Sequence, residues 1–296
     1  MRKSIILMLL FVSINLFCDL NFGKDLFDDG LYEEAIQEFE KVIAGEPTGD
    51  AAARALFYIG ECYSATEEYD RAESSYKRLL SGYPSYSSKD KAFYRLAVSQ
   101  FEQAKYRTAL SGFESVIERY PLSQFSEFSL EYIVRCCFES EDYSDLIVKG
   151  RKLVKDYEKS NYVPDVMFWM AQAYFKVNIP EEGNALLKRI NTEFTSSNAN
   201  WKAVEFTTGL LEKAGKTEEA IVLLKEKTQE NIPRQYEEKL KNKLAEFYMK
   251  ISDYESANNE FDEMISKFGN SDNIDFYITK QALCLLELGH FSRIIS

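Results

Sequence analysis

Apolar and small residues recur along this chain with a period of 37. The stretch LFYIGECYSATEEYDRAESSYKRLLSGYP, from Leu56 to Pro84, is answered by FYRLAVSQFEQAKYRTALSGFESVIERYP, from Phe93 to Pro121. Gly60 falls on Ala97, Tyr69 on Tyr106, Ala72 on Ala109, Tyr76 on Phe113, Leu79 on Val116 and Pro84 on Pro121. Set the small central residue of each unit at position 8. Position 8 is then Gly23, Gly60, Ala97, Val134, Ala171, Thr208, Ala245 and Ala282. Position 20 is Ala35, Ala72, Ala109, Leu146, Gly183, Ala220, Ala257 and Ile294, and position 24 is Phe39, Tyr76, Phe113, Gly150, Leu187, Leu224 and Phe261. No insertion is needed, so the chain holds about seven and a half units of 37 residues. A fixed period in this range marks a stack of structural repeats.

The spacing predicts two helices per unit. Positions 4, 7, 8 and 11 share one helical face, as do 20, 24 and 27. A polar turn lies between them at positions 14–16, such as Thr66-Glu67-Glu68. Small residues at 8 and 20 allow close approach, and large ones at 24 and 27 fill the groove. One helix pair cannot bury both its apolar faces, whereas a neighbouring pair stacked on it can. The expected fold is all-α, a solenoid of antiparallel helix pairs.

A small residue at position 8, aromatics at 17 and 24, alanine at 20 and a closing proline at 32 together resemble the tetratricopeptide repeat (TPR). The likeness covers residues 16–296 and is strongest in repeats 2 and 3, at 53–89 and 90–126. The usual unit is three residues shorter. The additional residues fall between units, in Ser85–Lys89 and Leu122–Ser126. The closing phrase around Tyr83-Pro84 and Tyr120-Pro121 is similar to TPR proteins of bacterial envelopes. These include the lipoprotein of the outer-membrane barrel-assembly machine (BamD) and the periplasmic protein that works with Tol–Pal. Glu158, Thr195, Ile232 and Gly269 replace the closing proline in repeats 4 to 7. Gly150 stands where an aromatic belongs in repeat 4, a candidate soft spot, and Pro180 suits the first turn of a helix in repeat 5. In repeat 6, Lys216-Thr217-Glu218-Glu219 reads as a helix cap with carboxylates at the N-terminus, and the charged run Lys225 to Glu230 reads as a solvated face.

The first eighteen residues break the pattern. Arg2 and Lys3 precede an apolar run that ends near Cys18, too short for a comfortable membrane span and suited to a secretory signal. Residues 1–18 are therefore expected to be a signal peptide or lipoprotein signal, with 19–296 as one solenoid domain. Cys18 is the candidate lipidation site, although Phe17 occupies a place where lipoprotein signals carry a small residue. A cleaved soluble form and a retained signal anchor stay open beside it. The expected location is the periplasm or a membrane tether.

Net charge is −12 and no Lys/Arg cluster stands out, which argues against a nucleic-acid partner. The single histidine, His290, sits in a polar turn, and no phosphate-binding or dinucleotide motif is present. Cys62, Cys136 and Cys284 all fall on position 10, a slot that is Ser99 and Ala173 elsewhere, so they read as small buried side chains; Cys137 beside Cys136 forms no Cys-x-x-Cys motif. No metal site, cofactor or catalytic residue is expected.

The TPR resemblance implies a protein-binding groove lined by positions 2, 5, 9, 12 and 13 of each first helix. These positions hold Phe57, Tyr94, Phe101, Phe128, Arg135, Phe138, Phe168 and Phe175 in repeats 2 to 5, with Arg135 placed to orient an acidic group. Packing between helices is the alternative reading of the same rings. Later repeats carry Glu205, Glu212, Asn242, Glu246 and Met249, a more acidic surface. The expected function is a non-enzymatic scaffold of the bacterial envelope, in outer-membrane protein assembly or envelope organisation. The alternatives are a transport accessory that docks a solute-binding protein and a cytosolic adaptor of co-chaperone type. Ile278, Leu285 and Leu288, in the partial last unit, suggest self-association through that end.

Overall fold

A computed structural model describes residues 20–230 and 232–290. The start of the chain, including the candidate signal and Cys18, lies outside the described residues. So do Phe291 to Ser296.

Every described element is helical, and the helices keep the 37-residue register. In chain order, α1 is Leu20–Asp28, α2 Tyr32–Gly45, α3 Asp50–Ala65, α4 Tyr69–Gly82 and α5 Lys89–Glu102. They are followed by α6 Tyr106–Arg119, α7 Gln124–Glu139, α8 Tyr143–Asp156 and α9 Val163–Lys176. These nine belong to a compact body, Met1–Val177. The second body, Asn178–Ser296, holds α10 Pro180–Glu193, α11 Asn198–Lys213, α12 Thr217–Thr228, α13 Arg234–Lys250, α14 Tyr254–Lys267 and α15 Ile274–Glu287. The second helices start at position 17 in all seven complete repeats, and every first helix ends at position 13. Within each body, successive helices pack as antiparallel pairs, the architecture of a TPR-like α-solenoid.

Close approach explains the small residue at position 8. A Cβ added at Gly60 would lie 2.6 Å from the ring of Tyr76, and one at Gly23 would lie 2.7 Å from the ring of Phe39. The aromatic at position 24 thus rests directly on the backbone of the first helix. Ala72, Tyr76 and Leu79 are fully buried, as are Ala109, Phe113 and Val116 in the next repeat and Ala257, Phe261 and Met264 in repeat 7. Repeat 4 solves the missing aromatic differently. Met170 of α9 fills the space over Gly150, so close that a Cβ there would meet its Cγ at 2.5 Å. Gly150 is buried and sealed rather than a soft spot.

The turn joining the two helices of a unit is the same throughout. Position 15 has positive φ in all eight repeats: Gly30, Glu67, Ala104, Glu141, Asn178, Gly215, Ser252 and Gly289. In repeat 3 the Ala104 N–H bonds the Phe101 carbonyl at 2.8 Å, and the Lys105 N–H bonds the Gln100 carbonyl at 2.9 Å. That pair of bonds is the Schellman helix end. The longer links between units are also ordered. Ser123, Ser160 and Ser271 at position 34 donate to Asp90, Glu127 and Glu238 at position 1 of their own repeats, and their hydroxyls accept backbone N–H bonds at the start of the next helix.

Pro180 opens α10 in the position where its missing N–H costs nothing. Two expectations for repeat 6 change. Glu218 and Glu219 do stand in the first turn of α12, but the cap position, Lys216, makes no side-chain capping bond. Lys227, in the run expected to be solvated, is 4% exposed. It occupies position 27, its stem fills that apolar slot, and its Nζ reaches Glu230 at 2.7 Å and the Asn191 carbonyl. A long alkyl stem can be buried this way while the charge is paired. On α15, Leu285 is buried while Ile278, Phe276, Leu283 and Leu286 are exposed.

Candidate functional site

The predicted groove residues all lie in the first body, and the structure sorts them. Phe57, Phe101 and Phe168 are packed between helices, with 3%, 7% and 7% of their surface exposed. Phe57 sits among Tyr58, Tyr76 and Tyr86, with the Lys91 ammonium 4.4 Å from its ring centre. Tyr94, Phe128, Arg135, Phe138 and Phe175 are half-buried and keep an accessible edge. Phe57, Phe101 and Phe168 are therefore core for the helix pairs rather than free anchors.

Arg135 joins two aromatic groups, the first of them centred on a residue the sequence reading did not single out. Tyr132 stacks on Phe113 at 4.7 Å and lies edge-on to Phe101 at 5.2 Å and to Tyr94 at 6.0 Å. On one side Tyr94 contacts Phe125 and Phe128, and Phe128 contacts Tyr162. On the other side Phe138 lies 5.0 Å from Trp169 and 5.4 Å from Tyr143. Burial pushes the phenols of Tyr94 and Tyr132 up, so both stay protonated over the ordinary pH range. Tyr132 and Trp169 share position 6, and Tyr58 at that position stacks on Phe39 at 5.4 Å. Position 6 is one helical turn from 2, 9 and 10, and a ring recurring there was the signal available in the sequence.

Arg135 is set into this surface from α7. Its guanidinium lies 4.7 Å from the ring centre of Phe101, 5.0 Å from Tyr132 and 6.0 Å from Trp169. The Nε is buried and has no hydrogen-bond acceptor. Glu61, Glu73 and Glu114 of the same body each hold a cation, and Glu131, one turn before Arg135 on α7, accepts from the Trp169 indole at 3.3 Å. Ring faces stabilise the cation without satisfying its hydrogen-bond donors. The arrangement can receive an oxyanion at a planar fork of N–H groups flanked by apolar rings.

The remaining chemistry is structural. Cys62, Cys136, Cys137 and Cys284 are free thiols and buried, and burial pushes the first three up to about 12, which leaves no thiolate for catalysis. Among the described residues no group of His, Cys, Asp and Glu could hold a metal ion. His290 is exposed. No described helix is long and apolar enough to cross a membrane. In the second body, Glu212 pairs with Lys243 at 3.0 Å and Lys250 at 3.3 Å, so lysines of α13 balance the carboxylates expected to make that surface acidic.

Helix pairs at a 37-residue period, with the position-24 ring packed on the small residue of the first helix in repeats 1 and 2, define a repeat solenoid. Residues 16–85 and 91–123 match models of the tetratricopeptide repeat. A chloroplastic protein of Arabidopsis thaliana is 33% identical over 69 residues, which cover 23% of this chain and 21% of that protein. Among solved structures, a tetratricopeptide repeat protein from Parabacteroides merdae superposes with a TM-score of 0.57 at 16% identity, over 90% of this chain and 97% of that one. MamA from Desulfovibrio magneticus RS-1 superposes with a TM-score of 0.50 at 15% identity, over 60% of this chain and 94% of its own. These likenesses show the fold. A fold of this kind supports a protein–protein interaction scaffold.

Proposed function

We propose that the face formed by α5, α7 and α9 docks a carboxylate-bearing segment of a protein partner, with Arg135 as its anchor. One observation carries this reading: a half-buried guanidinium held over three rings, its Nε buried without a hydrogen-bond acceptor. Two parallel N–H···O bonds to a carboxylate would satisfy donors that the fold leaves open. Rings of Tyr132, Phe138 and Trp169 would exclude water around that pair and receive apolar side chains on either side of it.

By resemblance to envelope TPR proteins, the partner belongs to the bacterial envelope, in outer-membrane protein assembly or envelope organisation. The basic tip and apolar run before Cys18 support export. Fatty-acid labelling that depends on Cys18 and recovery in the envelope fraction are the expected results. A soluble cytoplasmic protein that retains Met1 would exclude them.

The docking test begins with a partner identified by cross-linking in cells. Arg135→Gln should then weaken its affinity roughly tenfold or more, about 1.4 kcal/mol. Phe101 is too buried for a clean test, so Arg135 is changed alone. The urea midpoint should move far less than for Phe113→Ala. Unchanged affinity per folded molecule in Arg135→Gln would place the partner elsewhere.

A further inference from the structure

The surface of α15, in the Asn178–Ser296 body, carries an apolar strip that the repeat fold does not use. Tyr277, Cys284 and Leu285 of this helix pack into the body and are buried. Phe276, Leu283 and Leu286 are 42%, 43% and 45% exposed. At 3.6 residues per turn these three fall within about 80° of one another, one continuous strip along the helix. Thr279 shares the strip, whereas the exposed Ile278 lies nearly opposite Phe276 and outside it.

Packing between repeats does not call for this strip. Phe276 and Leu283 occupy positions 2 and 9. In repeats 2, 4 and 7 the same positions hold Arg54 and Glu61, Phe128 and Arg135, and Lys239 and Glu246. No unit from repeat 2 to repeat 7 has an apolar side chain at both, yet each forms its helix pair. Large apolar side chains clustered in water on one helix mark a contact surface.

The charges beside the strip are self-complementary. Lys280 and Glu287 flank it on one edge, three residues before Leu283 and four after it. The Lys280 ammonium lies 5.2 Å from the ring centre of Phe276, and Glu287 is exposed. A second α15 turned end for end about a two-fold axis at Leu283 brings these charges together. With a rise of about 1.5 Å per residue, Lys280 stands about 4.5 Å along the helix from the axis and the partner's Glu287 about 6 Å, on the same edge. Symmetry makes the pair twice. A parallel arrangement would set lysine against lysine and glutamate against glutamate. Asp275 lies on the other edge of the strip and His290 beyond the end of the helix, so neither opposes the pair. We propose that two copies of this chain associate through α15, antiparallel and isologous, with Leu283 against Leu283, Phe276 and Leu286 on either side, and Lys280 paired with the partner's Glu287. The proposal stands apart from the docking face of the first body.

Sedimentation equilibrium of the full chain measures the association. Wild type should exchange reversibly between monomer and dimer with a Kd of roughly 1–100 µM, because one helix pair buries less than a standard interface. Leu283→Lys sets two ammoniums together at the axis and should weaken the dimer roughly tenfold or more. Its circular dichroism should match wild type, since the site is exposed. Lys280→Glu and Glu287→Lys each turn both ion pairs into repulsions and should each weaken the dimer roughly tenfold. The two changes together should bring Kd back to within about twofold of wild type. A protein that stays monomeric at about 300 µM would overturn the proposal. So would an association that Leu283→Lys leaves unchanged, as one held by the first eighteen residues would be, or a double charge variant no tighter than either single one.

Discussion

Replacing Ala104 with glycine should stabilise this protein, and replacing Gly215 with alanine should destabilise it. Both residues occupy position 15 of their repeats and hold left-handed backbone, with φ of 57° and 73°. An L-residue there costs about 1–2 kcal/mol through the clash of Cβ with the following carbonyl. Glycine escapes that cost but loses more freedom on folding, which offsets about 0.4–1 kcal/mol. The net gain for Ala104→Gly is therefore about 0.5–1 kcal/mol, and Gly215→Ala should lose about as much. Side-chain effects do not confuse the pair. Ala104 is exposed, and a Cβ on Gly215 meets nothing within 4 Å. For a cooperative body of this size the shift in melting temperature is about 2 °C in each direction. Thermal and urea melts followed by circular dichroism in the far ultraviolet measure it. A lowered midpoint for Ala104→Gly, or an unchanged one for Gly215→Ala, would refute the claim that the shared turn stores this strain.

Ala72→Leu and Ala109→Leu put volume into fully buried helix contacts and should each cost about 1–3 kcal/mol in urea melts, whereas Ala65→Leu on an exposed site should cost little. Phe113→Ala removes a fully buried ring stacked on Tyr132 and should cost about 3–5 kcal/mol. Glu73 makes the acid limb of stability specific: burial alone would raise its pKa, but bonds from Lys105, Lys77, Gln100 and Gln103 outweigh burial and hold it at about 2. Its folded value lies below the unfolded one, so its contribution, about 3 kcal/mol at most, is present above the unfolded carboxylate range and lost as pH falls toward 2. Urea midpoints of wild type and Glu73→Gln should therefore converge between about pH 4.5 and pH 2, and parallel curves over that window would refute it.

Much of this architecture was legible in the residues. The period of 37, the helix pair in each unit and the contact between position 8 and position 24 all follow from side-chain volume and helical spacing, which are local and repeat. Helices start at position 17 and end at position 13 because the turn between them is set by backbone geometry that every repeat shares. The identity of the turn was less legible, since glycine marks its left-handed residue in three repeats and Glu67, Ala104, Glu141, Asn178 or Ser252 occupies it in the others. Packing over-determines the turn there, so the sequence does not have to.

Tertiary structure decided what depends on residues far apart in the chain. Glycine at position 150 reads as a gap along the sequence, and only the approach of Met170 shows it filled. A charged run hid the buried Lys227, because the Asn191 carbonyl that helps to receive it lies a full repeat away. The aromatic positions of the candidate face were legible as a set, but not their division into core and edge. Phe101 and Phe138 occupy the same position of successive repeats, yet Phe101 is sealed by Tyr106, Tyr132 and the guanidinium of Arg135 while Phe138 keeps an open edge. Exposure is a property of what the neighbouring repeat brings, and a periodic sequence gives equal positions unequal neighbours.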